Sequence, residues 1–325
     1  MIVIPRGEVE RLLDLDELID ALASAHADLS AGRVSMPSRI AARVDERDAI
    51  LGAMPAYLPS AGALTAKLVT LFPHNDPSHL PTHQAVIVAF DPDSGEPRAL
   101  LDGTAITAAR TGAASALSVR LLARADARQL ALLGSGVQAR SHARAIARER
   151  QLAEIRIASR DSARAKALAR ELSDELGVPT RAVAAYEDAV RGADIVAAVT
   201  HSPEPVVRRE WLSAGTHVTS VGVNPAGREL DGETVRDAVV VVDSRAAALA
   251  PFPAGSNDLL WAIRDGLIDE SHVHAELGEL VTKSKPGRTD AEQLTLYKSV
   301  GVAVQDAAAA ALILNRAGNA PAIDL

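Results

Sequence analysis

Cysteine is absent from all 325 residues. That removes disulfides, thiolate metal sites and cysteine nucleophiles together, while leaving the redox compartment open. Aromatic residues make up only 2%, so the core has to be built from Ala, Val, Leu and Ile. Positive charge is also scarce: 34 Lys and Arg stand against 42 Asp and Glu, a formal net charge of -8. Nucleic-acid affinity comes largely from cations neutralising phosphates, so no nucleic-acid partner is expected, although a local basic pocket for a small anion is compatible with this balance. Long apolar runs are missing too. "VGVAVQDAAAAALIL" is interrupted by Gln305 and Asp306 and is too short for a bilayer. The N-terminal "MIVIPRGEVERLLDLDELI" turns charged early and does not have the form of a signal peptide. A cytoplasmic protein with no membrane partner is expected.

What is present is a globular balance, 48% hydrophobic and 23% charged, on a chain long enough for about two domains. From residue 129 short apolar strands alternate with helices. "QLALLG" has the continuous apolar character of a strand buried on both faces, and "EIRIAS", "TRAVA", "DIVAAVT", "THVTSVG" and "AVVVVD" follow as further strands. Residues 137–150 and "DSARAKALARELSDELG" have helical composition or spacing, the second with Gly177 as a stop. This alternation predicts an α/β, doubly wound parallel sheet. The earlier part differs. "RLLDLDELIDALASAHADLSAG" is predicted as one amphipathic helix with Leu12, Leu15, Leu18, Ile19 and Leu22 on its apolar side. "SRIAARV", "AILGAMPAYL", "ALTAKLVTLF" and "HQAVIVAFD" then read as strands, and a helical segment from Ser299 is expected to fold back onto this domain.

"LLGSGVQARSHARAI" carries G-x-G-x-x-A at Gly134, Gly136 and Ala139. Alone the motif is weak, but it lies between a strand and a helix, where it can cradle a dinucleotide pyrophosphate. Gly134 suits the tight turn, Gly136 the close backbone approach and Ala139 the helix packing. The next strand ends "IRIASRDS". An acid at that end would bind a ribose 2′-OH; Ser159 and Arg160 stand there instead, with Asp161 beyond. Arg160 can pair with a 2′-phosphate, with Ser159 and Ser162 as hydrogen-bond donors, which points to NADP(H), with NAD(H) as the lesser option.

Lys67 sits in "ALTAKLVTLF", where an anion or an exposed strand edge has to account for it. Arg39 and Arg110 are further cations of the same domain; with Lys67 around one cleft they would suit an α-carboxylate. His74, His79 and His83 in "PHNDPSHLPTHQ", and the weaker pair His272 and His274, match no established metal-ligand spacing, so no metal is expected. Ser115 and Ser141 show no visible base, which leaves a hydrolase without support.

"GAMPAY", "LTAKLVT", "PTHQAVIVAFDP", "LDGTAITAARTGAASA", "LGSGVQARSH", "ASRDSARA", "RELD", "AELGEL" and "YKSVGVAVQDAAAA" resemble signature segments of the ornithine cyclodeaminase/mu-crystallin family, through nearly the whole chain. Within it the chain is similar to the mu-crystallin-like ketimine reductases. The resemblance implies a Rossmann-type doubly wound sheet, residues 116–298, inserted into an α+β substrate-binding and dimerisation domain, residues 1–115 completed by 299–325. It implies a homodimer, Arg39, Lys67 and Arg110 on the substrate carboxylate, and Lys67 as proton donor. His83, Thr111, Thr200 and Val221 would line the nicotinamide pocket. Gly134, Gly136, Val137, Gln138, Ser159, Arg160, Ser162, Ser299 and Gly301 would complete the cofactor site.

One position departs from the family pattern. Cyclodeaminases carry an aspartate where "SVGVNPAGRELD" has Asn224. An amide cannot act as a general base at neutral pH, although it can orient a substrate nitrogen or a water. Asn224 therefore favours hydride transfer to a ketimine carboxylate, such as 1-pyrroline-2-carboxylate or 1-piperideine-2-carboxylate, over ammonia elimination. An alanine-dehydrogenase-type enzyme, an ornithine cyclodeaminase and a non-catalytic NADP(H)-binding protein are the alternatives.

Overall fold

The computed structural model describes residues 1–76, 80–224 and 227–318. The chain divides into two units, the first Met1–Arg110 with Val302–Leu325, the second Thr111–Gly301. The helix Gly103–Leu122 carries the chain from one to the other. No helix among the described residues is long and apolar enough to cross a membrane.

The first unit holds a six-stranded sheet of β1 (Ile2–Ile4), β2 (Ile40–Val44), β3 (Ala49–Leu58), β4 (Ala63–Leu71), β5 (His83–Phe90) and β6 (Pro97–Asp102), in the order β1-β6-β5-β4-β3-β2. β1 runs parallel to β6 and every other pair is antiparallel. The expected single N-terminal helix is two, Arg6–Leu12 and Leu15–Ser30. Leu13 is extended and Asp14 accepts a hydrogen bond from Glu17 N at 3.0 Å, so the aspartate starts a new helix rather than continuing the old one. Leu18, Ile19 and Leu22 are buried. The helix Ala303–Leu314 packs on β3 and β4 and against Leu15–Ser30. Lys67 is opposite Met54 and Ile87 in the sheet register, on the face buried below these helices. The neighbouring row Ile40, Ala53, Leu68 and Val86 points to the other face, where Ile40 is 70% exposed.

The second unit is an eight-stranded parallel sheet: β7 (Gln129–Leu133), β8 (Glu154–Ala158), β9 (Thr180–Ala182), β10 (Ile195–Ala198), β11 (His217–Val221), β12 (Val239–Val242), β13 (Val273–Glu276) and β14 (Thr295–Ser299). The order is β13-β12-β14-β11-β10-β7-β8-β9. Leu130 and Leu132 bury into one core, Ala131 and Leu133 into another, which is why "QLALL" is apolar without alternation. Each such leucine contributes about 1.5–3 kcal/mol by leaving water. The helices Val137–Glu149 and Ser162–Leu176 follow β7 and β8, the Rossmann-type arrangement. Two strands of this sheet were not expected from the sequence, nor was β1 of the first unit. β13 is only four residues long, and in β14 Lys298 interrupts the apolar run although the strand lies inside the sheet between β11 and β12.

Candidate active site

The strand order reverses between β7 and β10, and in such sheets ligands bind beyond the carboxyl ends of the strands at that point. Gly134 and Thr200 lie just past those two ends. Gly134 has φ 122, and a Cβ there would come within 2.9 Å of the Val199 carbonyl oxygen. Only glycine lets the two strand ends approach so closely. Gly136 is different: a Cβ would meet nothing within 4 Å. Its lack of a side chain is not demanded by the chain's own packing, and it leaves room for an outside group to reach the backbone. Gly136 is the N-cap of Val137–Glu149 and no side chain caps that helix. Its first-turn amides and positive dipole end can receive a phosphate. Val137 is exposed, Gln138 half-buried and Ala139 fully buried.

Beyond β8, the Ser159 hydroxyl is 2.9 Å from that of Ser135, tying the glycine loop to the next strand end. Arg160 is exposed, as is Ser162 at the first position of its helix. Asp161 caps that helix by accepting from Arg164 N at 3.0 Å. Asp161 is thus engaged as a cap. Val221 ends β11 and Asn224 follows it; Ser299 ends β14, where the sequence placed the start of a helix, and Gly301 follows it. Asp243 accepts from the Ser299 hydroxyl and from Val300 N and Gly301 N, which fixes that turn. Thr111 is buried in the helix Gly103–Leu122.

In the first unit, Lys67 is 2% exposed and its Nζ lies 2.7 Å from Asp306 Oδ2. Asp306 Oδ1 accepts from Arg110 Nε at 3.2 Å. Arg110 also donates to Gln305 Oε1 at 2.8 Å, and Gln305 reaches His26 at 3.0 Å. Burial lowers the Lys67 pKa to about 8; Asp306 opposes this, and the positive charges of Arg110 and Arg39 add to it. Burial works against ionising Asp306, but Lys67 and Arg110 together hold its carboxyl below the usual range. The three sequence-expected cations therefore share one neighbourhood. Two buried cations on one carboxylate, with Arg39 adding positive potential at Lys67, suit an incoming carboxylate. β4 is internal to the sheet, so the edge-strand reading of Lys67 does not apply. His83 is the first residue of β5, half-buried.

Asp306 was read from the sequence only as a break in an apolar run. A charged residue beside Gln305 in an alanine-rich helix was the available signal. A second buried cluster went unread altogether. Glu229, 2% exposed, accepts from Thr200, and Lys298 Nζ lies 2.8 Å from Asp258 Oδ2. Ser115 does have a histidine at 2.9 Å, His142 Nε2, contrary to the sequence reading. Both are fully buried, with His142 Nδ1 on the Gln138 carbonyl, so the pair braces two helices and offers no accessible nucleophile. His74 is on the surface 3.1 Å from Asp48; His272 and His274 bond to backbone carbonyls; His79 lies outside the described residues.

Residues 2–320 match the ornithine cyclodeaminase/mu-crystallin family, and the chain belongs to it. It is 38% identical over 300 residues to the ketimine reductase mu-crystallin of Mus musculus, covering 91% of this chain and 90% of that one. Among solved structures it is similar to the Δ1-pyrroline-2-carboxylate reductase of Thermococcus litoralis in complex with NADH and L-proline. That match has a TM-score of 0.95 at 37% identity and covers 99% of this chain and 100% of that one. An archaeal alanine dehydrogenase dimer with bound NAD matches with a TM-score of 0.92 at 30% identity, covering 100% and 99%.

Proposed function

We propose that this protein is an NADP(H)-dependent reductase of a ketimine bearing an α-carboxylate. Cyclic imines such as 1-pyrroline-2-carboxylate and 1-piperideine-2-carboxylate are its substrates, and proline and pipecolate its products. The observation that carries the reading is the buried pair Lys67 and Arg110 on the carboxylate of Asp306, with the half-buried Arg39 close enough to act on Lys67. Similarity to a reductase solved with NADH and L-proline supports the same chemistry.

In this reading Arg39 and Arg110 hold the substrate carboxylate. Lys67, with a pKa of about 8, keeps its proton at neutral pH yet can exchange it at Nζ. Gly134, Gly136, Val137 and Gln138 receive the pyrophosphate, and Ser159, Arg160 and Ser162 the adenosine phosphate. His83, Thr111, Thr200 and Val221 line the nicotinamide side, with Ser299 and Gly301 completing the cofactor site. When bound, the dinucleotide supplies the hydride to the imine carbon. Asn224 orients the substrate nitrogen without acting as a base. The preference for NADP(H) follows from the exposed Arg160 and from Asp161 being spent on a helix cap.

The protein assembles as a homodimer through the open sheet face of the first unit. Ile40, Leu51, Leu68 and Val86 line that face at 70%, 43%, 38% and 41% exposure, an apolar surface that a second copy would cover. Leu68→Asp with Val86→Asp then yields a monomer by light scattering; an unchanged mass rejects this interface.

The test of function follows NADPH oxidation with the two cyclic imines, then with 2-oxo acids plus ammonia. Faster turnover of pyruvate plus ammonia favours the alanine-dehydrogenase reading, for which the archaeal similarity is the specific support. Turnover of neither overturns the catalytic assignment.

A further inference from the structure

The segments that follow β10 and β11 are joined through one buried carboxylate. Thr200 N donates to Glu229 Oε1 at 2.6 Å, and the Thr200 hydroxyl donates to the same oxygen. The Glu229 carbonyl accepts from Val206 N and Val207 N at 2.8 and 3.1 Å. Both ends of segment 200–207 are therefore fastened to a single residue. Within the segment, Ser202 N donates to the Thr200 hydroxyl at 3.1 Å. The Asn224 side-chain amide donates to the Ser202 carbonyl at 2.6 Å, and Asn257 donates to the Asn224 carbonyl at 2.7 Å. A continuous chain of hydrogen bonds thus runs from Glu229 to Asn224.

The charges around Glu229 come from every neighbouring element. Lys298 on β14 pairs with Asp258 at 2.8 Å and donates to the Ser220 hydroxyl at 3.0 Å. The Ser220 hydroxyl donates to Glu229 Oε2 at 3.4 Å. Asp258 Oδ1 accepts from Glu229 N and Leu230 N. His201 lies in the fastened segment, its pKa lowered by desolvation and by Lys298, and Tyr186 faces from the helix Tyr186–Val190. One ammonium is shared by two buried carboxylates, and Asp258 has the direct ion pair. Such a pair of carboxylates cannot keep both charges easily, so the one farther from the lysine takes the proton first.

We infer that Glu229 is a positioning residue: its ionised carboxylate holds the Thr200–Ser202 segment, and through it the Asn224 side chain, in the geometry used for turnover. This rests on the reading of Asn224 and Thr200 as site residues. Protonation leaves Thr200 an acceptor but removes the charge from both bonds, and charge-assisted bonds are roughly twice as strong as neutral ones. Burial raises the Glu229 pKa to about 7; Lys298 opposes this and Asp258 adds to it. The tight form therefore gains population as pH rises through neutrality.

Amide hydrogen exchange of residues 200–207 tests this in the full chain with no substrate present. After correction for intrinsic exchange, protection of the native protein is expected to rise about tenfold between about pH 6 and pH 8. Glu229→Gln keeps an acceptor for Thr200 without the charge, so its protection is expected to be low and flat across that range. It should lower kcat for imine reduction about tenfold, with a smaller change in KM, and remove the acid limb of the kcat profile. Thr200→Val, which loses both hydroxyl bonds but keeps the backbone bond from Thr200 N to Glu229, should retain a weaker pH response and serves if Glu229→Gln does not fold. Flat exchange in the native protein, or an unchanged pH response in Glu229→Gln, overturns the inference and leaves the reductase reading standing. A titrating segment in a protein that reduces no imine overturns the reductase reading and leaves the latch in place.

Discussion

Asp306 Oδ2 lies 2.7 Å from Lys67 Nζ, with both side chains all but withdrawn from solvent. The pair ties the last helix of the first unit to the middle of its sheet, and Arg110 joins it from a third element. A buried ion pair of this kind contributes little net stability, but removing one member strands the other.

Asp306→Asn should therefore destabilise the protein by about 3–5 kcal/mol, read as a shift in the denaturant midpoint at constant slope. It should also move the alkaline limb of the activity profile to lower pH, because Asp306 is what holds the Lys67 pKa up against burial. A variant as stable as the native protein contradicts this account.

Lys67 carries its proton below about pH 8 and loses it above. If it donates to the imine nitrogen, kcat/KM for reduction falls as pH rises through that value, on the alkaline side of the limb assigned to Glu229. Lys67→Met should abolish the limb together with most of the rate. An alkaline limb that persists in Lys67→Met assigns the ionisation to another group.

Arg160→Ala should raise the KM for NADPH about tenfold or more and leave the KM for NADH nearly unchanged, since a charge-assisted contact contributes roughly 1.5–3 kcal/mol. Steady-state kinetics with both cofactors decide it. Equal use of NADPH and NADH by the native protein is the result that removes this prediction.

Native protein incubated with ornithine and either oxidised cofactor should release neither proline nor ammonia at a rate near that of imine reduction. General base catalysis contributes about 10²–10⁴ in rate, and Asn224 has no proton affinity to supply it. Asn224→Asp should add a trace of ammonia release. Ornithine turnover faster than that of any cyclic imine would overturn the assignment.

His142 and His217 are held neutral by burial, with pKa values of about 4 and about 3 against 6.5 unfolded; Arg288 and Arg150 add to the effect at His217. A histidine depressed in the folded state stabilises above its unfolded pKa, and that stability is lost as pH falls below it. Glu229, raised to about 7, works in the opposite sense as it takes up its proton. His217→Gln should therefore show a shallower loss, or a larger gain, of stability than the native protein between about pH 6.5 and 4.5. Parallel stability curves for the two proteins would show that His217 does not titrate in this way.

The local geometry of the glycine loop could be read directly from the sequence. The apolar run "QLALL", the glycines after it and the helix behind them state their own geometry, because burial on two faces and close backbone approach leave a local signature. The position of Ser159 and Arg160 just after β8 was readable for the same reason, because the place of that strand in a strand–helix unit is set by short-range pattern. Lys67 announced that it needed a partner but not which one. Periodicity says where a side chain points along its own element, never what arrives from another, and Asp306 comes from the far end of the chain. β14 was hidden because Lys298 breaks its apolar run. That break is tolerable only because Asp258 and Ser220, from two other elements, meet the ammonium. Glu229 likewise gains its role from Thr200 and Lys298 folding around it. Burying a charge is a decision of the whole fold, since its cost is set by partners brought from elsewhere in the chain.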